Sequence, residues 1–211
     1  MNFDVAVDHP LVQHHLTRLR DKETPPAEFR LLIRRLASLL AYEALEDLNL
    51  SDVPVTTPLA TIAGKRLAQR IGLVPILRAG LGMVDPILDL LPDAEVWHLG
   101  VYRDESTLQP VEYYAKFPSA HPVDVAFVLD PMLATGGSIL AALAALDRWG
   151  VKCMKVLSIL ATPEGIAAVR AKHPKVAIRA CAVDSHLNDV GFIIPGLGDA
   201  GDRTFNTLQP R

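Results

Sequence analysis

The sequence predicts an α/β fold built on a mostly parallel, doubly wound sheet. Three observations carry that expectation. Residues 72–77 (GLVPIL) and 125–129 (VAFVL) are unbroken apolar runs, as strands buried on both faces are. Amphipathic, helix-length segments separate such runs, which is the alternation of βαβ units. Two of the runs end in small-residue loops that carry a charge: Arg78-Ala79-Gly80-Leu81-Gly82, and Asp130 ahead of Ala134-Thr135-Gly136-Gly137-Ser138.

Taken in order, Asp8 is the expected N-cap of a first short helix with Pro10 in its first turn. His14 and His15 are read as surface histidines. Neighbours on a helix point about 100° apart, and no Glu or His follows at the spacing a metal needs. Thr24-Pro25-Pro26 opens the longest helix, residues 25–48, with Phe29, Leu32, Ile33, Leu36, Leu39, Leu40 and Leu45 on one apolar face. That face is expected to pack on the sheet or on another subunit. Residues 53–57 read as a strand. Residues 58–69 have no clear assignment beyond a turn expected at Gly64-Lys65.

A short helix at 84–91 is ended by Pro92, and 95–101 is a further strand. Residues 108–117 (LQPVEYYAKF) read as an extended arm or hairpin, suited to closing as a lid. A helix from Ile139 closes at Gly150, a good C′ residue. A strand follows at 156–160. Thr162 is expected to cap a helix with Pro163 at its first position, ending by His173-Pro174. The last strand is 176–183. Residues 187–203 hold four glycines, a proline and three acids, which exclude regular helix or central strand. Phe192-Ile193-Ile194 within that stretch argue for packing rather than a disordered tail.

The 211 residues fit a single domain spanning 1–211, and 50% hydrophobic composition is ample for a core. A net charge of −3 and a pI near 6.1 give no reason to expect nucleic acid as a general partner. No apolar run reaches the roughly 18 residues of a membrane span, and MNFDVAVDHP has no signal-peptide pattern. Cys153 and Cys181 lie in strand-like runs without an x-x-Cys partner, so both are expected as buried free thiols of a cytoplasmic protein.

The chemistry-bearing residues gather at the two charged loops. Gly136-Gly137 is not followed by Lys, which excludes a P-loop, and no Gly-x-Gly-x-x-Gly turn marks a dinucleotide fold. Small residues at a helix start let backbone N–H groups close around a phosphate. A carboxylate five residues upstream, Asp130, suits hydroxyls, and together they fit a ribose 5-phosphate. Open α/β sheets bind ligands beyond the carboxyl ends of their strands, so Arg78 and Asp130 are expected to converge.

Residues 129–138, LDPMLATGGS, resemble the phosphoribosyl-pyrophosphate (PRPP) loop of phosphoribosyltransferases, in the form found in the uracil phosphoribosyltransferase family. The wider superfamily has two adjacent acids at this strand tip. Here Asp130 is followed by Pro131, as in the uracil branch. The stretch ILRAGLGM around Arg78 is similar to the family's pyrophosphate loop. YRDESTLQPVEYY, from Tyr102, resembles its mobile segment, with Arg103 as the second cation. Residues 187–203 resemble its uracil-binding segment, with Asp189 and Phe192 where Glu and Tyr are frequent.

The resemblance implies a type I phosphoribosyltransferase fold with N- and C-terminal additions forming a hood and arm. It implies transfer from PRPP to uracil, giving UMP and pyrophosphate. Arg78, Arg103 and Asp130 are then the catalytic residues. Pro131, Met132, Leu133, Ala134, Thr135, Gly136, Gly137, Ser138 and Asp199 join them around PRPP, and Ile193, Gly198, Asp199 and Ala200 meet uracil. Magnesium would arrive as Mg-PRPP, with no metal cage of the protein's own. Family members are homo-oligomers, so a homodimer or homotetramer is implied, and GTP is implied as an activator. Two rivals remain: transfer to another base, against which residues 193–200 argue, and an RNA-binding sensor of PRPP or UMP, which would need a basic face.

Overall fold

The computed structural model describes residues 5–103, 110–118 and 120–207, with residues 102, 103 and 110 described by backbone alone. The chain opens with α1 (Pro10–Arg20) and α2 (Pro26–Ala44), then the hairpin β1 (Leu50–Thr56) and β2 (Thr61–Leu67). Strand β3 (Ile71–Leu77) leads through a 3₁₀ turn (Ala79–Met83) into α3 (Val84–Leu88), β4 (Glu95–Val96), β5 (Leu99–Arg103) and β6 (Pro110–Ala115). Next come β7 (Val125–Leu129), β8 (Met132–Leu133), α4 (Gly137–Trp149), β9 (Cys153–Ala161), α5 (Pro163–Lys172) and β10 (Ala177–Val183). A small pair, β11 (His186–Leu187) and β12 (Ile193–Ile194), precedes α6 (Ala200–Phe205).

The main sheet runs β10-β9-β7-β3-β5-β6, with β4 on β3 and β8 on β9. Every pairing in it is parallel except β5 with β6. Alternation along β7 shows why both faces are dry. Val125, Phe127 and Leu129 point into the cluster formed with α1, α2 and α3. Ala126 and Val128 point into the cluster formed with α4 and α5. Phe127, 1% exposed, sits at the centre of the first layer.

The broad apolar face of α2 therefore packs on the sheet. Phe29, Leu32, Ile33, Leu36 and Leu40 are buried there, and the helix stops at Ala44, with Leu45 as its C-cap. The first helix is capped by His9, whose ring accepts from the Leu11 N–H, and not by Asp8. Gly64 and Lys65 are not a turn. They lie inside β2, opposite Val53 and Asp52, and Gly64 is required because a Cβ would overlap the Val55 side chain. The turn is at residues 57–60, where Thr57 Oγ1 accepts the Leu59 and Ala60 N–H groups.

Residues 95–101 split in two. Trp97 donates its N–H to Leu73 O and turns its ring onto Trp149 and Phe117. Helix α3 is shorter than expected, because Asp89 to Leu91 close it with turn hydrogen bonds to Asp85 and Ile87. Residues 110–115 of the expected arm form the antiparallel edge strand β6, while 108 and 109 lie outside the described residues. The glycine-rich C-terminal stretch does contain a helix, α6, because Asp199 caps it. Both thiols are free, but Cys153 is exposed at the start of β9 and Cys181 alone is buried. No helix among the described residues is long and apolar enough to cross a membrane.

Candidate active site

Strand order reverses between β3 and β7: β5 continues from β3 in one direction, β9 and β10 from β7 in the other. Crevices at such a switch point, beyond the strands' carboxyl ends, are where open α/β sheets take ligands. Arg78 follows β3 and Asp130 follows β7, so the two predicted loops flank that crevice. Gly80 permits the approach, since a Cβ there would overlap the Leu129 carbonyl oxygen.

The loop after β7 divides into a fixed half and an open half. Asp130 accepts the Met132 N–H at 3.1 Å. Pro131 O accepts from Leu160, and Leu133 O accepts from Thr162. Pro131 is buried and Leu133 is fully buried, so neither side chain lines the crevice. Beyond them, Thr162 Oγ1 donates to Ala134 O at 2.7 Å while accepting the Gly165 N–H, tying the loop to the start of α5. Gly136 takes the left-handed conformation (φ 83°) that starts α4, and as the N-cap it makes no side-chain cap bond. The Gly137 N–H makes a long bond to Thr135 Oγ1 at 3.5 Å, and with the Ser138 N–H it lies at the helix start, where an anion is favoured.

Asp130 keeps some residue surface open, yet its carboxyl group is enclosed. Burial pushes its pKa up to about 7, the Met132 N–H opposes the shift, and the neighbouring Asp199 carboxylate adds to it. Asp199 caps α6 by accepting the Asp202 N–H at 2.8 Å. Across from it, Arg78 Nη2 lies 3.0 Å from Asp202 Oδ1, and Thr207 donates to that same oxygen at 2.7 Å. The Thr207 hydroxyl and then Arg78 hold Asp202 below the usual carboxylate range. Arg103 ends β5, but its side chain lies outside the described residues.

The predicted base segment closes the opposite wall. Ile193 is buried and pairs with Leu187, Gly198 adopts φ 82°, and Ala200 is buried in the first turn of α6. A cavity of about 980 Å³ runs along this wall, lined by Arg20, Arg78, Gly196, Gly198 and Asp199 among others. Three side chains that sequence reasoning missed hold the wall in place. Arg20 and Asp184 bracket Gly196. Arg203 Nη1 donates to Leu19 O and Leu197 O, and its Nη2 donates to Asp21 O. Among the described residues, no group of three or more His, Cys, Asp or Glu could hold a metal ion.

A doubly wound sheet with a small-residue anion loop at its switch point is the fold of a type I phosphoribosyltransferase. The purine phosphoribosyltransferase of Pyrococcus horikoshii shares that fold (TM-score 0.50, 13% identity, 74% of this chain and 88% of that one). The family model described as uracil phosphoribosyltransferase matches residues 6–207, and the chain belongs to that family. The uracil phosphoribosyltransferase of Roseiflexus sp. (strain RS-1) is 59% identical over 199 residues, covering 94% of this chain and 96% of the relative. That of Symbiobacterium thermophilum is 52% identical over 204 residues, covering 96% and 98%. The solved structure of the AQ2163 protein from Aquifex aeolicus superimposes with a TM-score of 0.90 at 38% identity, covering 95% and 97%.

Proposed function

We propose that this chain transfers the 5-phosphoribosyl group of PRPP to N1 of uracil, giving UMP and pyrophosphate. The observation that carries the reading is that Arg78 and Asp130 follow β3 and β7 where the strand order reverses, with Asp130 beside Asp199 and a cavity lined by Arg78 and Asp199 along the glycine-rich segment. Breaking the bond from C1 of ribose to pyrophosphate leaves an oxocarbenium-like sugar and a departing polyanion. Arg78, with Arg103, stabilises that leaving charge. Asp130 holds the ribose hydroxyls and steadies the positive sugar. The N–H groups and hydroxyls of Ala134 to Ser138 anchor the 5′-phosphate, which keeps C1 in line with uracil N1. Ile193, Gly198, Asp199 and Ala200 present the edge that takes the base.

Magnesium enters on the phosphates of PRPP. The neighbouring carboxylates of Asp130 and Asp199 are hard oxygen donors of the kind it accepts, directly or through its waters. Held there, it would supply positive charge for the leaving pyrophosphate.

The active species is a homodimer or homotetramer of single-domain chains. The β1–β2 hairpin supports this, since neither of its faces is covered, and Leu50, Leu59 and Ile62 are 58, 97 and 52% exposed. A second copy would cover them, and light scattering coupled to gel filtration measures the state directly. The enzyme is cytoplasmic, where free thiols such as Cys153 and Cys181 persist. The deciding assay is UMP formation from labelled uracil, PRPP and Mg²⁺, with and without GTP as the implied activator. Cytosine, orotate and hypoxanthine serve as competitors. Turnover of uracil alone is expected. Preference for another base, or PRPP binding without turnover, would overturn the reading.

A further inference from the structure

The base wall is held by a half-buried ion pair whose polar groups turn to the backbone. Arg20, the last residue of α1, meets Asp184 in a bidentate geometry: Nη2 to Oδ1 at 2.6 Å and Nη1 to Oδ2 at 2.7 Å. The Asp184 side chain is only 5% exposed and that of Arg20 25%. Both partners then turn to one residue. Arg20 Nη1 donates to Gly196 O at 2.8 Å, and Asp184 Oδ2 accepts the Gly196 N–H at 2.8 Å. The two polar groups of a single peptide position are thus captured by opposite ends of one pair.

Gly196 is the pivot of the wall. It has φ 63°, and it folds so closely over Ile193 that a Cβ would overlap the Ile193 carbonyl oxygen. Ile193 precedes it and Gly198 follows it, so its orientation sets how the whole edge faces the cavity. Asp184 itself is pinned to the sheet, its N–H donating to Ala161 O at 2.8 Å. The clamp therefore transmits the rigidity of β9 and α1 to a segment that has almost no regular structure of its own. Desolvation offsets much of what such a pair gains in stability, and the planar fork of Arg is what allows two acceptors at once.

We propose that Arg20 and Asp184 are positioning residues for the base, setting the register of the 193–198 edge without touching the reacting atoms. The proposal rests on the uracil-transfer reading above. It predicts a split in kinetic constants that a general loss of structure would not produce. In Arg20→Met, KM for uracil rises about tenfold while KM for PRPP stays within about twofold. Asp184→Asn is near-isosteric and keeps an acceptor for the Gly196 N–H, so it raises KM for uracil by only about threefold. It also serves if Arg20→Met fails to fold, as judged by circular dichroism. An unchanged KM for uracil in folded variants, or equal rises for uracil and PRPP, overturns the clamp while leaving the activity intact. Absence of uracil turnover in the wild type overturns the activity itself, and the clamp's role with it.

Discussion

Arg78 and Asp202 form an ion pair across the mouth of the crevice, Nη2 to Oδ1 at 3.0 Å, with Thr207 on the same carboxylate. The cation proposed for pyrophosphate is thus already engaged by the protein. On the proposed reading, Asp202 competes with PRPP for Arg78. Exposed pairs are worth about 0.2–1 kcal/mol, so Asp202→Asn is expected to lower KM for PRPP about threefold with kcat little changed. A rise in KM instead would make Asp202 a support for Arg78, and steady-state kinetics with varied PRPP separates the two.

Removing Arg78 itself has the larger effect. Its guanidinium is proposed to stabilise charge that exists fully only as pyrophosphate departs, as Asp130 does on the sugar side. Arg78→Ala and Asp130→Asn are each expected to cost about 3 kcal/mol of transition-state stabilisation, roughly a hundredfold or more in kcat/KM. A variant within about threefold of wild type would remove that residue from the mechanism.

Thr162 was legible as a helix cap, but its second bond was not. Its hydroxyl accepts the Gly165 N–H and also donates to Ala134 O in the anion loop. Thr162→Val keeps the shape and loses both bonds. Loss of the cap and of a buried partner is expected to destabilise the chain by about 2 kcal/mol in urea unfolding. KM for PRPP is expected to rise as the loop loosens. Unchanged stability would show that solvent replaces the hydroxyl.

What was readable in the sequence was local. Asp130 at a strand end, Gly136-Gly137 before a helix and Thr162-Pro163 at a cap all announce themselves within a few positions. Arg20, Asp184 and Arg203 do not, because each has a partner 164 or more positions away: Arg20 and Asp184 meet each other, and Arg203 meets Leu19. An arginine carries no local mark of burial, and its usual place is the surface. Gly64 misled for the same reason. Its need for a missing Cβ arises from Val55 across the hairpin, whereas the real turn was marked by Thr57-Pro58, a hydroxyl acceptor before a proline.

Arg203 gives the stability test of the C-terminal wall. It is 9% exposed, lies 4.3 Å over the Phe29 ring, and donates hydrogen bonds to the backbone carbonyls of Leu19, Asp21 and Leu197. Burial lowers its pKa, opposed by Asp21. Arg203→Met fills similar space but leaves those carbonyls without their donor. A loss of about 3 kcal/mol is expected, measured by denaturant midpoint. A shift below about 0.5 kcal/mol, the range of ordinary surface substitutions, would mean that water or neighbouring N–H groups take over.

Asp130 ties stability and activity to pH in opposite directions. Its folded pKa, raised by burial to about 7 from 3.8, exceeds the unfolded value. The folded state therefore holds the proton more tightly, and stability from this group is full below pH 3.8 and lost as pH rises to about 7. In the proposed mechanism the ionised form of Asp130 steadies a positive sugar, so kcat/KM for PRPP should climb over the upper part of that window, with an apparent pKa near 7 in the free enzyme. Asp130→Asn removes both trends. At pH 8 the variant should be more stable than wild type by roughly 2 kcal/mol, discounting the linkage value for partial solvent access, and at pH 4 the two should converge. Unfolding curves at the two pH values decide the first trend and a kcat/KM profile the second. A wild-type stability that rises from pH 4 to pH 8 relative to the variant would mean that Asp130 ionises easily in the folded chain, and the rise of kcat/KM toward pH 7 would then have to come from another group.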